Sequence, residues 1–68
     1  MKLSARNQLS ATVTGITRGD ATANVALDVN GQRLVASITV EAVDDLGLSE
    51  GSRVTAVIKA SDVVLATE

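Results

Sequence analysis

Apolar and polar residues alternate with period two along most of this chain, and the places where the alternation breaks define its elements. Over 9–18, Leu9, Ala11 and Val13 share one parity while Ser10, Thr12 and Thr14 occupy the other. This is the pattern of a half-buried strand. The phase slips at Gly15, after which Ile16 takes the apolar role, so a bulge or sharp bend is expected there. Arg18-Gly19-Asp20 reads as a turn. A second strand is expected over 21–29, with Ala21, Ala23, Val25, Leu27 and Val29 on one face. Asn30-Gly31 is a strong hairpin signal because both residues tolerate positive φ. The return strand, 32–39, turns Leu34, Ala36 and Ile38 inward.

At Val40 the period changes. Val40, Val43 and Leu46 recur three apart, which places them on one side of a short helix. Thr39 is a suitable N-cap and Glu41 an acid in the first turn, where the helix dipole favours it. Gly47 fits the left-handed position after the helix, with Leu48 packing back on Val43. Asp44 and Asp45 oppose the dipole at the other end, so only one or two turns are expected. After the turn at Ser49-Glu50-Gly51, a fourth strand over 52–59 directs Val54, Ala56 and Ile58 inward. A short fifth strand is expected over 63–66 through Val63 and Leu65. Five strands with one short helix between the third and fourth make a mainly all-β chain, a five-stranded OB-like Greek-key barrel. Residues 1–68 read as one domain. Val35, Val57 and Val64 remain on outward faces, which is most simply explained if those faces meet another subunit.

Composition narrows the function. A chain of 68 residues without Cys has no disulfide or thiolate metal site to stabilise it, which again favours subunit pairing. With 46% hydrophobic residues and no aromatics, its core is built from Val, Leu, Ile and Ala. The absence of His and Cys removes the usual bases and nucleophiles of catalysis, and an enzyme is not expected. No loop gathers enough carboxylates for a directly coordinated metal. A formal net charge of −2 and a pI near 4.8 argue against duplex DNA or a membrane surface. The missing aromatics remove the stacking platforms of single-strand binding. The opening Met1-Lys2-Leu3-Ser4 has no long apolar region, so neither a secretion signal nor a membrane span is expected and the default location is cytoplasmic.

The remaining chemistry lies in two short stretches. Ser4-Ala5-Arg6-Asn7-Gln8-Leu9 places a serine two residues before a cation, and Ile58-Lys59-Ala60-Ser61-Asp62-Val63 places one two residues after a cation. All four side chains donate hydrogen bonds. Brought together, they and free backbone N–H groups at the 59–61 turn suit a tetrahedral oxyanion. The same residues also serve as ordinary surface groups at strand ends. In that case the chain is an OB-like structural or interaction module without an anion ligand.

These two stretches, together with Leu46-Gly47-Leu48 and Glu50-Gly51, resemble the molbindins, small molybdate-binding proteins also called molybdenum-pterin-binding proteins. The resemblance spans essentially the whole chain as a single copy. It implies an OB-like barrel assembled as a homohexamer, a trimer of dimers. Molybdate or tungstate would be held by hydrogen bonds at subunit interfaces, for molybdenum storage and homeostasis. Ser4, Ala5 and Arg6 of one subunit would meet Lys59, Ala60 (through its backbone N–H) and Ser61 of another. Thr39 corresponds to a hydroxyl that joins the site in related regulator domains. Those domains also use a serine and an arginine further along the helix, where this chain has Ala42 and Asp45. A carboxylate beside a dianion is unfavourable, so either Asp45 points away or the site is assembled differently. The resemblance also implies a second kind of site near a three-fold axis, for which the Arg18-Gly19-Asp20 turn is the candidate.

Overall fold

The computed structural model describes residues 2–68. An antiparallel sheet forms from β1 (Asn7–Arg18), β2 (Thr22–Val29), β3 (Gln32–Thr39) and β4 (Arg53–Ile58), in the spatial order β3-β2-β1-β4. A helix, α1 (Val40–Leu46), joins β3 to β4, and a short 3-10 turn, Ala60–Asp62, follows β4. The chain is mainly β with one short helix, as the patterning predicts.

The predicted breaks have visible causes. In the β1–β2 ladder the register shifts between Val13, opposite Leu27, and Gly15, opposite Ala26. Thr14 is the extra residue of a bulge, and beyond it Ile16 lies opposite Val25. The bulge bends β1 so that its first half pairs with β4 and its second with β2. Backbone bonds from Val13 N–H to the Ser52 carbonyl (2.9 Å) and from Gly51 N–H to the Val13 carbonyl (2.8 Å) anchor the approach to β4 at the same point. In the hairpin, Asn30 and Gly31 have φ of 53° and 88°, the left-handed pair that matches strand twist.

Helix α1 begins where Thr39 Oγ1 accepts a hydrogen bond from the Ala42 N–H at 3.0 Å. It ends at Gly47, φ 63°, with Gly47 N–H donating to the Asp44 carbonyl and Leu48 N–H to the Val43 carbonyl, both at 3.1 Å. Those two bonds form a Schellman closure, which folds Leu48 back toward Val43. Val43 is fully buried and joins Ala11, Val13, Ala23, Val25 and Leu27 in the core. Thr39→Ala removes the cap without touching this core. It is expected to lower stability by about 1 kcal/mol, read as a shift in the urea midpoint at constant slope.

One expectation is corrected. The sheet has four strands and is not closed into a five-stranded barrel, because residues 63–66 pair with nothing among the described residues. The 3-10 turn provides the physical reason. Asp62 N–H donates to the Lys59 carbonyl (2.9 Å) and Val63 N–H to the Ala60 carbonyl (3.3 Å), so the chain curls after β4 and forms no ladder on its free edge. A run of consecutive apolar residues such as Val63-Val64-Leu65 has strand propensity but no alternation to fix a partner. Smaller differences lie at the ends. β1 starts at Asn7 rather than residue 9, β2 starts one residue later than expected, and β4 is trimmed by one residue at each end.

Candidate functional site

The β1–β4 ladder determines where the donor motifs meet. Its rungs pair Thr12 with Arg53, Ser10 with Thr55, Gln8 with Val57 and, last, Asn7 with Ile58. Continued one step past that last rung, the register sets Arg6 opposite Lys59. Ser4 and Ala5 precede this end of the ladder, and Ala60 and Ser61 follow it in the 3-10 turn, outside the ladder. The two stretches, more than 50 positions apart in sequence, therefore leave the sheet at the same end of one chain. Side chains on a strand alternate between faces, so Arg6 and Lys59, each one residue beyond the ladder, continue the outward parity of Gln8 and Val57.

Their local surroundings favour a ligand over an internal partner. Ser4, Arg6, Lys59 and Ser61 are all exposed, while the Ala5 methyl is buried, so any contribution from Ala5 is through its backbone. Like charges opposite one another on neighbouring strands destabilise the pair. Among the described residues, the only ion pair joins Arg18 to Asp44, so neither Arg6 nor Lys59 is neutralised by a carboxylate. The bonds of the 3-10 turn are donated by Asp62 and Val63. The Ala60 and Ser61 N–H groups precede them and lie outside the turn's own bonding pattern, as the first donors of any helical turn do.

The other expected residues lie elsewhere. Thr39 pairs with Thr22 at the far end of β3, beside the β1–β2 turn. Along the β1 register it belongs to the Arg18 end, whereas Arg6 precedes the other. Its oxygen accepts the α1 cap bond, which leaves the hydroxyl proton free to donate. Ala42 and Asp45 lie on α1, which follows Thr39. Arg18-Gly19-Asp20 forms a structural clasp. Gly19 N–H donates to the Thr22 carbonyl at 2.8 Å, and Arg18 Nη2 donates to Asp44 Oδ1 at 2.9 Å, tying the turn to α1. With Asp44 paired to Arg18 and Asp20 in the turn, the turn and its partner carry two carboxylates to one guanidinium.

The sequence patterning did not single out Arg53. It borders a shallow polar depression of about 320 Å³ with Ser10, Thr12, Asp28 and Asn30. The β1–β4 and β1–β2 registers create that grouping by placing Thr12 opposite both Arg53 and Asp28. The only sequence signal was the outward parity of these residues.

With this geometry established, the chain's relationships are clear. Residues 3–65 match the TOBE domain, and the chain belongs to that family. It is 42% identical over 66 residues to molybdenum-pterin-binding protein 1 of Clostridium pasteurianum, covering 96% of this chain and 97% of that one. It superposes on a molybdate-binding protein from Sporomusa ovata with a TM-score of 0.95 and 43% identity, over 98% of this chain and 100% of that one. It also superposes on the cytoplasmic molybdate-binding protein ModG, solved with molybdate bound. There the TM-score is 0.89 and identity 45%, over 94% of this chain and 46% of that one.

Proposed function

We propose that this chain binds molybdate, with Ser4, Arg6, Lys59, Ser61 and the Ala60 N–H as its donors. The observation that supports the reading is the β1–β4 ladder, whose last rung, Asn7 with Ile58, adjoins both donor stretches, neither of whose cations is in an ion pair among the described residues. A tetrahedral dianion between Arg6 and Lys59 converts a repulsive pair into two charge-assisted hydrogen-bonding partners. The serine hydroxyls and turn N–H groups then orient its oxygens. Binding is by hydrogen bonds to oxygen, without protein-to-metal coordination, so tungstate fits the same donors. The chain performs no catalysis and acts in molybdenum storage and homeostasis in the cytoplasm.

The site lies between subunits of a homo-oligomer, a hexamer built as a trimer of dimers. The exposed Val35, Val57 and Val64 support this part of the reading. The Arg18-Gly19-Asp20 turn is the weaker location for a second site, because its guanidinium is already engaged by Asp44.

Calorimetric titration of the assembled protein with sodium molybdate tests the reading. Saturable heat at micromolar protein and ligand is the expected result. A folded sample that gives none would leave the chain as an OB-like interaction module.

A further inference from the structure

The tip of the β2–β3 hairpin is the one place in the chain where an asparagine precedes a glycine. The other asparagines are Asn7 and Asn24. Asn7 is half-buried and paired with Ile58 at the end of a ladder, and Asn24 is paired on both sides, with Thr17 and Ser37. Asn30 and Gly31 are exposed in the loop beyond the last rung, Val29 with Gln32. Gly31 has no side chain to shield its nitrogen, and a Cβ built there would meet nothing within 4 Å. Its N–H donates to Asp28 Oδ2 at 3.4 Å, beyond the range of a well-formed N–H···O bond, so the nitrogen is only weakly held.

We propose that Asn30 is a deamidation site, at which the hairpin tip converts itself from an amide into a carboxylate. The Gly31 nitrogen attacks Cγ of Asn30. The new N–Cγ bond closes a cyclic imide, the Gly31 proton passes to solvent, and the Cγ–Nδ2 bond breaks as ammonia leaves. Water then opens the ring on either side. Attack at Cγ gives aspartate with an ordinary backbone. Attack at the backbone carbonyl carbon gives isoaspartate, in which the chain runs through the former side chain and the α-carboxylate is free. Nothing but water is consumed. The left-handed turn has to loosen before the ring closes, so the rate follows local opening of the tip. Anion binding plays no part in this reaction.

The two products differ in consequence. Aspartate tolerates the left-handed conformation that Asn30 holds at φ 53°, so that product keeps the turn. Isoaspartate adds a methylene to the backbone of a two-residue loop. Loop length fixes hairpin register, so the extra atom strains the Val29–Gln32 rung and, behind it, the pairing of Leu27 with Leu34. Leu27 is a buried core residue, and the isoaspartyl form therefore loses stability. Either product replaces one neutral amide by one carboxylate, which takes the formal net charge from −2 to −3. The new charge lies two residues from Asp28, in the depression bordered by Arg53. A free α-carboxylate on a lengthened backbone is the group that isoaspartyl methyltransferases esterify, so the altered turn is a substrate for that enzyme class.

Incubation of the wild-type protein in warm buffer, at neutral and at mildly alkaline pH, tests the assignment. Trypsin releases residues 19–33 as one peptide that holds both Asn24 and Asn30, so Asn24 is an internal reference. Fragment-ion mass spectrometry is expected to place the amide-to-acid exchange at Asn30, about tenfold or more ahead of Asn24, because a strand paired on both sides opens less often than a turn. The rate should rise with pH, as loss of the Gly31 proton requires. Methyl transfer by an isoaspartyl methyltransferase should label aged protein and leave fresh protein unlabelled. Asn30→Gly keeps a Gly-Gly hairpin turn and should stay unlabelled. The isoaspartyl fraction, separated by anion exchange, should have a lower urea midpoint than Asn30→Asp. Equal exchange at Asn24 and Asn30 would overturn the proposal. So would labelling that persists in Asn30→Gly, or an intact Asn30 after an incubation that converts a synthetic peptide of residues 19–33. An isoaspartyl fraction as stable as Asn30→Asp would contradict the effect on the hairpin.

Discussion

Arg6→Ala and Lys59→Ala are each expected to lower molybdate affinity by about 10- to 100-fold, the scale of losing one hydrogen bond to a charged group. Both side chains are exposed, so neither change should disturb the core. Far-ultraviolet circular dichroism and the oligomer mass should stay as in the wild type. Arg6→Lys keeps the charge and loses the planar fork, so a partial loss is expected. Arg18→Ala serves as the contrast. Its guanidinium pairs with Asp44 at the far end of β1, and an exposed pair of this kind contributes about 1 kcal/mol or less to stability. Affinity should be retained there. If Arg18→Ala abolishes binding while Arg6→Ala and Lys59→Ala leave it intact, the anion is held at the wrong end of the sheet for this account.

The largest expected effect on stability is at Val25. It is 1% exposed, lies opposite Ile16 just past the bulge, and packs in a core that contains no aromatic ring. Small cores have few large neighbours to collapse into a cavity, so Val25→Ala is expected to cost about 2–3 kcal/mol. A chain of this size has a total stability of only about 3–10 kcal/mol, so the loss is a large fraction of the whole. Urea denaturation should show a markedly lower midpoint. It should be measured at one fixed protein concentration, because assembly contributes to apparent stability. A shift equivalent to less than about 0.5 kcal/mol, the range of ordinary surface changes, would mean that Val25 does not belong to the core as described.

Much of the fold was legible because local chemistry and burial agree. Asn30-Gly31, the Thr39 cap, the Gly47 closure and the slip at Gly15 each have one physical cause that acts within a few residues. The fifth strand had no such local determinant. Val63-Val64-Leu65 has strand propensity, but pairing depends on a partner edge. Two-residue hairpins require a backbone that Ala60-Ser61 does not adopt. The donor motifs were also legible as residue types at a suggestive spacing. The sequence did not reveal that the ladder, ending at Asn7 and Ile58, brings both motifs of one chain to the same end. Nor did it reveal that Thr39 leaves the sheet opposite Thr22, beside the β1–β2 turn. Both facts depend on strand order, a long-range property no short motif encodes. Arg18-Gly19-Asp20 was read as a turn and is one. Its pairing with Asp44 joins residues 26 positions apart and became visible only once α1 was placed.

The central claim is that the oxyanion sits where β1 begins and β4 ends. Crystals grown with molybdate and measured at the molybdenum absorption edge locate the metal directly by its anomalous scattering. The account predicts a peak whose surrounding oxygens lie within hydrogen-bonding distance of Arg6, Lys59 and Ser61. A peak at the Arg18–Asp44 turn with none near Arg6 and Lys59, or no peak in crystals of the assembled protein soaked to saturation, would contradict it.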